Sequence, residues 1–359
     1  MSKRAVICVK QPHLIIPQLS DYSVMIVNPD ATESRLKYLL DNSDYSLLVT
    51  ESGEQWRDGG DYVNERVLQY TSGTTGDSKF CAFTQKQLDY ASDQLISAFS
   101  LTANDRYTGV MPLWSGHGQG FYWATERAKC ERNFLSIKEV RSIARYHPTC
   151  LTAVPHILKL FLNCDLDNLR FIRSGGAPLP YTLHQALEQK FKTAVLETCG
   201  FTEALSLGFC NRISQNVPGT VGLPVGIEAR IDQGHLEIRG PSLFVDGWYD
   251  TGDLAEQDSA GNFKLTGRSR DQINIKGVKI NPLSLESHLI KNCNEIGEVV
   301  VFGTDSVKCM YTGSSEPIEV RKVLVTLGQY CWPTAILQVD QIPLSPGGKV
   351  SRHFLNMLY

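Results

Sequence analysis

Apolar residues fall in two rhythms along this chain. In the first part, short buried-type runs alternate with helical stripes. Val24-Met25-Ile26-Val27 is stopped by Asn28-Pro29, Leu36, Leu39 and Leu40 recur at helical spacing between Thr32 and Asn42, and Leu47-Leu48-Val49 offers another strand. Strand, helix, strand is the crossover unit of a parallel sheet. Val67-Leu68-Gln69-Tyr70 then enters a polar loop punctuated by glycine, and Thr84 is placed to cap a helix with Leu88, Ala91, Leu95 and Phe99 on one face. The pattern returns at Cys150 to Val154 before a Pro155-led helix, and at Arg170 to Arg173 before Ser174-Gly175-Gly176.

Around residue 217 the texture changes to strict alternation. Ile227 to Ile231 and Leu236 to Arg239, joined by Asp232-Gln233-Gly234, predict an antiparallel hairpin, and Ile273 to Ile275 with Val278 to Ile280 predict another about Lys276-Gly277. Pro282 opens a helix with Leu285, Leu289 and Ile290 as its stripe. A strand from Glu298 to Phe302, a helix near Glu319 to Leu327 and a strand near Ile336 to Val339 complete an α+β stretch. The fold class expected is α/β, with a large layered N-terminal domain carrying β hairpins (residues 1–270) and a small α+β domain (residues 271–359). A length of 359 residues suits two domains at about 150 residues each.

Composition narrows the class. With 42% apolar, 20% charged and 9% aromatic residues, the chain has the makeup of a folded globular protein. A formal net charge of −3 and the absence of any Lys/Arg block remove the electrostatic footprint of a nucleic-acid or anionic-membrane binder. Ten cysteines are scattered without a CxxC pair, as reduced, buried thiols are. Lys10 interrupts the Ala5 to Val9 run well short of a signal peptide or membrane span, so the expected location is the cytoplasm.

The densest candidate chemistry is Tyr70-Thr71-Ser72-Gly73-Thr74-Thr75-Gly76-Asp77-Ser78-Lys79. Hydroxyls and glycines in a strand-to-helix loop present O–H and backbone N–H donors without obstruction, which a polyphosphate needs, and Lys79 adds charge. Composition alone leaves a plain turn open. The loop lacks the Gly-Lys-Ser/Thr of a Walker A motif, because Phe80 follows Lys79, and this excludes an unrelated phosphate-loop NTPase.

Further stretches follow in order: Arg173-Ser174-Gly175-Gly176-Ala177-Pro178-Leu179, Gly200-Phe201-Thr202-Glu203, Tyr249-Asp250-Thr251-Gly252-Asp253, Gly267-Arg268-Ser269-Arg270-Asp271 and Pro343-Leu344-Ser345-Pro346-Gly347-Gly348-Lys349. Together they make the chain resemble the adenylate-forming (AMP-binding) superfamily of acyl-CoA synthetases, peptide-synthetase adenylation domains and luciferases, as an unusually short member. The resemblance implies that ATP activates a carboxylic acid as acyl-AMP, releasing pyrophosphate, before a thiol attacks. It implies that Thr71, Ser72, Gly73, Thr74, Thr75, Gly76 and Lys79 hold the β- and γ-phosphates. Gly175, Gly176 and Ala177 would lie against adenine, beside Cys199 and Gly200. Thr202 would bond the α-phosphate, Glu203 would hold Mg²⁺, Asp253 would accept both ribose hydroxyls, and Arg268 would approach the ribose. Lys349 would contact the carboxylate and α-phosphate as negative charge builds. Arg270 would be the hinge of a mobile C-terminal cap, bringing Gly277 to the thiol tunnel.

Plainer readings exist for each: Asp253 as a turn cap, Glu203 as a helix-start carboxylate, His117 as a structural histidine and Cys199 as an inert small residue. The chain also departs from the family's pattern. Only 69 residues precede Tyr70, so a wall of the acyl pocket is expected to be lost, or supplied by a partner or the second subunit of a homodimer. Cys199 stands where an adenine-stacking aromatic is usual, which predicts weaker ATP affinity. In the loop Met111 to Gly118 the histidine comes two positions late, at His117, and no Asp or Asn offers itself to an α-ammonium group. The pocket wall expected is Trp114, His117, Gly118, Ser174 and Phe201, suited to an aryl or short acyl acid. The thiol expected is coenzyme A. A freestanding enzyme that loads the phosphopantetheine of a separate carrier protein is one alternative, and a non-catalytic binder of nucleotide or acyl-adenylate is another.

Overall fold

A strand precedes the first one expected from the apolar pattern. In the computed structural model, which describes residues 3–71, 78–343 and 350–359, β1 (Lys3–Cys8) runs parallel to both β2 (Tyr22–Ile26) and β3 (Leu47–Thr50). Ala5, Val6 and Ile7 have no exposed surface, so both faces of β1 are covered and the strand shows no alternation to read. With β4 (Gly53–Trp56) and the hairpin β5 (Glu65–Tyr70) and β6 (Phe80–Thr84), these strands form a sheet in the order β4-β3-β1-β2-β5-β6. The crossover helix α1 (Glu33–Asp41) begins where the Thr32 hydroxyl accepts the Arg35 N–H.

The second sheet carries the site. β7 (Arg106–Gly109), β8 (Glu131–Phe134), β9 (Cys150–Ala153), β10 (Phe171–Gly175) and β11 (Ala194–Gly200) are parallel, and β12 (Gly208–Cys210) and β13 (Leu223–Val225) extend the sheet antiparallel, in the order β13-β12-β11-β10-β9-β7-β8. Four helices flank it: α2 (Gln85–Phe99), α3 (Gly116–Arg127), α4 (Pro155–Phe161) and α5 (Tyr181–Phe191). Thr84 caps α2 in a reciprocal capping box with Gln87, and Leu88, Ala91, Leu95 and Phe99 are all buried, as the spacing requires. Alternation along β10 assigns its faces. Phe171 packs with Phe99 and Phe121 in the core shared with α2 and α3, whereas Ile172 joins Ile157, Phe161 and Leu187 beneath α4 and α5.

Hairpins follow. β14 (Glu228–Asp232), β15 (His235–Arg239), β16 (Tyr249–Gln257) and β17 (Phe263–Arg268) make an antiparallel sheet in chain order. β18 (Ile273–Ile275) pairs with β19 (Val278–Ile280). Both two-residue turns, Gln233-Gly234 at φ 48° and 86° and Lys276-Gly277 at φ 50° and 88°, have the positive φ pair that hairpin twist demands. α6 (Pro282–Asn292), β20 (Ile296–Phe302), β21 (Val307–Gly313), α7 (Pro317–Val325), β22 (Pro333–Gln338) and α8 (Arg352–Leu358) complete the chain. Ile273, Leu285, Leu289, Val301, Tyr311, Val320 and Leu324 close a core of their own there. Nine of the ten cysteines are buried and none is in a disulfide; burial pushes the thiols of Cys81, Cys150 and Cys210 up to about 12. Among the described residues no helix is long and apolar enough to cross a membrane.

Glu286 on α6 is 7% exposed and takes the Val301 N–H at 2.7 Å and Arg352 Nη2 at 2.6 Å, while Arg352 also donates to the Val301 carbonyl at 2.9 Å and approaches Asp271 at 3.5 Å. Burial raises the Glu286 carboxyl above the usual range, and Arg352 opposes that rise. Arg352→Met should therefore leave an uncompensated carboxylate and destabilise the protein by about 3 kcal/mol in urea unfolding. Adding Glu286→Gln, which keeps the acceptor for Val301 but removes the charge, should recover most of that loss; equal midpoints for the single and double variants would contradict the pairing.

Candidate active site

Parallel strands of an open α/β sheet present ligands at their C-terminal ends. Here β10 ends in Gly175-Gly176 and β11 in Cys199-Gly200. A Cβ on Gly175 would lie 2.7 Å from Thr198 Oγ1 and 3.1 Å from His117 Cε1, and Gly176 has φ 80°. The two glycines with exposed Ala177 thus form a bare ledge, and only glycine fits its first position. Gly200 is equally constrained, since a Cβ there would meet the Ser206 carbonyl at 2.4 Å.

After Gly200 the chain enters the tight 3-10 turn Thr202–Ala204, followed by Leu205 and Ser206 at φ 52° and 68°. Two successive non-glycine residues in the left-handed region are costly, and the turn is held by the Phe201 carbonyl accepting the Ser206 N–H at 2.8 Å and by the Ser206 hydroxyl donating to the Gly116 carbonyl. α3 comes close because its facing residues are glycines: a Cβ on Gly116 would be 3.2 Å from Thr202 Oγ1, and one on Gly120 would be 2.6 Å from Ser206 Cβ. Thr202 and Glu203 are half-buried at the rim beside the ledge.

Glu203 is reached from the phosphate-loop candidate through a residue the sequence reading left unassigned. Lys79 Nζ donates to Tyr249 Oη at 2.8 Å, and Tyr249 Oη donates to Glu203 Oε1 at 3.0 Å. The ammonium also lies 4.6 Å from the Tyr249 ring centroid and 5.3 Å from that of Phe244. Burial, and then Glu203, push the phenol well above its ordinary value. Tyr249 stands four residues before Asp253 on β16, and that placement on a shared strand was the available signal. At the loop base, Thr71 N–H donates to the Lys79 carbonyl at 2.9 Å and the Ser78 hydroxyl to the Thr71 carbonyl at 2.5 Å. Ser72, Gly73, Thr74, Thr75, Gly76 and Lys349 lie outside the described residues.

Asp253 sits opposite Arg268 in the β16/β17 register, with Oδ1 2.7 Å from Arg268 Nε. The residue is 3% exposed, and Oδ2 is buried with no partner among the described residues. Such an oxygen costs stability unless something donates to it, which is the acceptor a ribose diol requires. Burial raises this carboxyl above the usual range and Arg268 opposes the rise. Arg270 is exposed in the turn Ser269–Asp271, and Gly277 lies exposed at its hairpin turn with open space where a Cβ would be.

The expected acyl wall comes together only in part. Trp114 is half-buried, and His117 lies against Gly175 and Gly176. Gly118 is buried, where a Cβ would meet the Pro112 carbonyl at 2.3 Å, because its N–H joins the Ser115 cap of α3. Phe201 is 6% exposed and edge-on to Phe209 at 6.4 Å, so its ring belongs to the core. Ser174 lies on the β10 face opposite Gly175, and its buried hydroxyl has no partner among the described residues. The residue the wall reading omitted is Arg173, 3% exposed, whose Nη1 lies 2.9 Å from His117 Nε2.

Two outcomes follow for nucleotide use. Tyr249→Phe removes the bridge between Lys79 and Glu203 and should raise KM for MgATP about tenfold, the effect of losing a charge-assisted hydrogen bond. Asp253 must be ionised to accept two hydroxyls. Arg268→Leu removes the main influence lowering its pKa, so the acidic limb of the kcat/KM profile for ATP should move to higher pH; an unmoved limb would exclude Asp253 as the titrating acceptor.

With this geometry in view, comparison with known proteins is direct. A model of the AMP-binding enzyme family matches residues 64–244, half of the chain. The oxalate–CoA ligase of Arabidopsis thaliana is 28% identical over 88% of this chain and 74% of its own length, and the sulfoacetate–CoA ligase of Cupriavidus necator is 27% identical over 80% and 65%. This chain thus spans about two thirds to three quarters of those relatives. Among solved structures, ATP-bound MatB from Rhodopseudomonas palustris superposes with a TM-score of 0.87 at 21% identity, covering 100% of this chain and 89% of that one. The chain belongs to the AMP-binding enzyme family and has the fold of its adenylate-forming members.

Proposed function

We propose that this protein is an AMP-forming acid–thiol ligase: it joins a carboxylic acid to AMP at the expense of MgATP, releasing pyrophosphate, and transfers the acyl group to coenzyme A. The observation that carries the reading is the buried oxygen of Asp253 that has no partner among the described residues, on the same strand as the Tyr249 that links Lys79 to Glu203. The family match and the CoA ligases among the relatives support it.

A carboxylate is a poor electrophile because its charge is delocalised, so the site's task is to align it with the α-phosphate and absorb charge there. The ledge Gly175 to Ala177, with Cys199 and Gly200, admits a flat base. Asp253, oriented by Arg268, takes the ribose hydroxyls, and Thr202 at the rim donates to the α-phosphate. Lys79 and the loop from Thr71 hold the terminal phosphates. Glu203 has one oxygen on Tyr249 and supplies a carboxylate for Mg²⁺, which when bound neutralises phosphate charge. Lys349, which follows Gly347 and Gly348 in the sequence, contributes the remaining positive charge in the first step. The domains divide at Arg270, whose rotation carries residues 271–359, Gly277 included, from one half-reaction to the other. The acid is short: His117 stands over the ledge, and oxalate and sulfoacetate, the acids named for the relatives, are short too.

The decisive test separates the half-reactions. Lys349→Ala should lower ATP–pyrophosphate exchange by at least about a hundredfold, as loss of a transition-state charge contact does, yet still transfer a supplied acyl-AMP to coenzyme A at close to the wild-type rate. Equal loss of both steps would defeat the two-orientation reading. Transfer to carrier-protein phosphopantetheine but not to coenzyme A would redirect the acceptor.

A further inference from the structure

The neck of the phosphate-loop candidate is tied to a helix that lies some forty positions earlier in the chain. Ser78, the residue before Lys79, is 9% exposed. Its hydroxyl accepts Arg35 Nη2 and donates to the Thr71 carbonyl at 2.5 Å, and its N–H donates to Tyr38 Oη at 3.2 Å. A guanidinium can only donate, so the Ser78 hydroxyl must spend its single proton on Thr71. Thr71 is in turn joined to Lys79 by both backbone and side chain: its N–H donates to the Lys79 carbonyl at 2.9 Å and its hydroxyl accepts the Lys79 N–H at 3.3 Å. Arg35 and Tyr38 thus grip a residue through which both ends of the loop are held.

The helix that carries them, α1, is a firm support. Leu39 is buried, and Leu36, Tyr38 and Leu40 pack with Tyr70 and Phe80 against Val6, Met25 and Leu68 of the first sheet. Arg35 Cζ lies 5.4 Å from the Tyr38 ring centroid and 5.9 Å from that of Tyr70, which seats the guanidinium between the helix and the strand that enters the loop. Fixing backbone before a ligand arrives removes an ordering cost from binding. Here it fixes the point from which the Lys79 side chain starts. Lys79 is exposed, yet its ammonium reaches Tyr249 Oη at 2.8 Å, so a shift of Ser78 would carry that contact with it.

Resting on the ligase reading above, we infer that Arg35, assisted by Tyr38, is a positioning residue for the terminal phosphates of ATP: it braces Ser78 and thereby sets Thr71 and Lys79. It acts through Ser78 and not by contact with the reacting atoms. Because the loop serves the β- and γ-phosphates in that reading, the brace contributes to holding ATP and pyrophosphate and not to holding AMP.

The test compares nucleotides on the full chain. In calorimetry with Mg²⁺ and the α,β-methylene analogue of ATP, Arg35→Met should weaken binding about tenfold, the effect of losing a charge-assisted hydrogen bond. AMP should bind within about twofold of the wild type. Arg35→Lys, which keeps a charged donor, should recover most of the loss, and Tyr38→Phe, which removes the acceptor of the Ser78 N–H, should weaken the analogue about threefold. In a Ser78→Ala background, Arg35→Met should add less than about twofold, because the hydroxyl it acts through is gone. In ATP–pyrophosphate exchange the change should fall on KM for ATP and pyrophosphate, with KM for the acid unmoved. Unchanged affinity of Arg35→Met for the analogue, equal losses for the analogue and AMP as a general weakening of the fold would give, or full additivity with Ser78→Ala would each overturn the proposal. The binding measurements need no turnover, which keeps the two readings apart: wild-type protein without exchange on any acid counts against the ligase, whereas the brace stands or falls on the difference between the analogue and AMP.

Discussion

A carboxylate taken out of water has to be met by a cation or by donors, and the pairing of Asp253 with Arg268 is where this molecule's sheet geometry becomes a site. The two residues are directly opposed in the β16/β17 register, so the ion pair and the strand pairing specify each other. A slip of one residue would turn Asp253 to the other face and leave Arg268 without its partner. Arg268 takes Oδ1, and the second oxygen is buried with no partner among the described residues. That incomplete satisfaction is a standing cost of the empty protein, and it is repaid only when a ligand donates.

Around this pair the backbone is arranged for approach rather than for packing. Gly175, Gly176 and Gly200 remove side chains where strands end, and the left-handed Leu205 and Ser206 bend the chain so that Thr202 and Glu203 face the same opening. The glycines of α3 let that helix lie against the bend. These features are mutually dependent. A side chain on Gly120 would collide with Ser206, and a displaced Ser206 would release the turn that presents Glu203. Local strain at the turn is therefore held by contacts from an element some ninety residues earlier in the chain.

Much of this was legible from residue order, and the parts that were not share a physical cause. The Thr84-capped helix, the two hairpins and the Pro155 and Pro282 helix starts carry local signals, because caps, turn glycines and N1 prolines act within a few residues. β1 has no alternation because it is covered on both faces, and its apolar run Ala5 to Val9 was weighed only as a signal peptide or membrane span. The family motifs put Asp253, Glu203 and Lys79 in one site, but the sequence does not show that Tyr249 joins two of them, because that contact spans 170 positions. Phe201 and Ser174, both expected in the acyl wall, are buried: Phe201 packs edge-on to Phe209, and Ser174 lies on the β10 face opposite Gly175, an alternation that the motif's letters do not assign. Arg173, hidden at the start of a quoted motif, gave its signal only through burial with no carboxylate partner among the described residues.

The direction of the Lys79–Tyr249–Glu203 chain also has a consequence for how the site holds charge. An ammonium only donates and an ionised carboxylate only accepts, so the phenol between them must accept on one side and donate on the other. It can do so only while it keeps its proton. Burial and the neighbouring Glu203 both disfavour the phenolate, which pushes the phenol further from titration than in water and fixes the order of the hydrogen bonds across the physiological range. The cation of the loop and the carboxylate at the rim are thereby held apart by a neutral ring instead of collapsing into a direct ion pair. Each retains charge to offer to a ligand: positive toward phosphate oxygens, negative toward a divalent cation. A direct salt bridge at this point would satisfy both residues in the empty protein and leave the site with less to gain from binding.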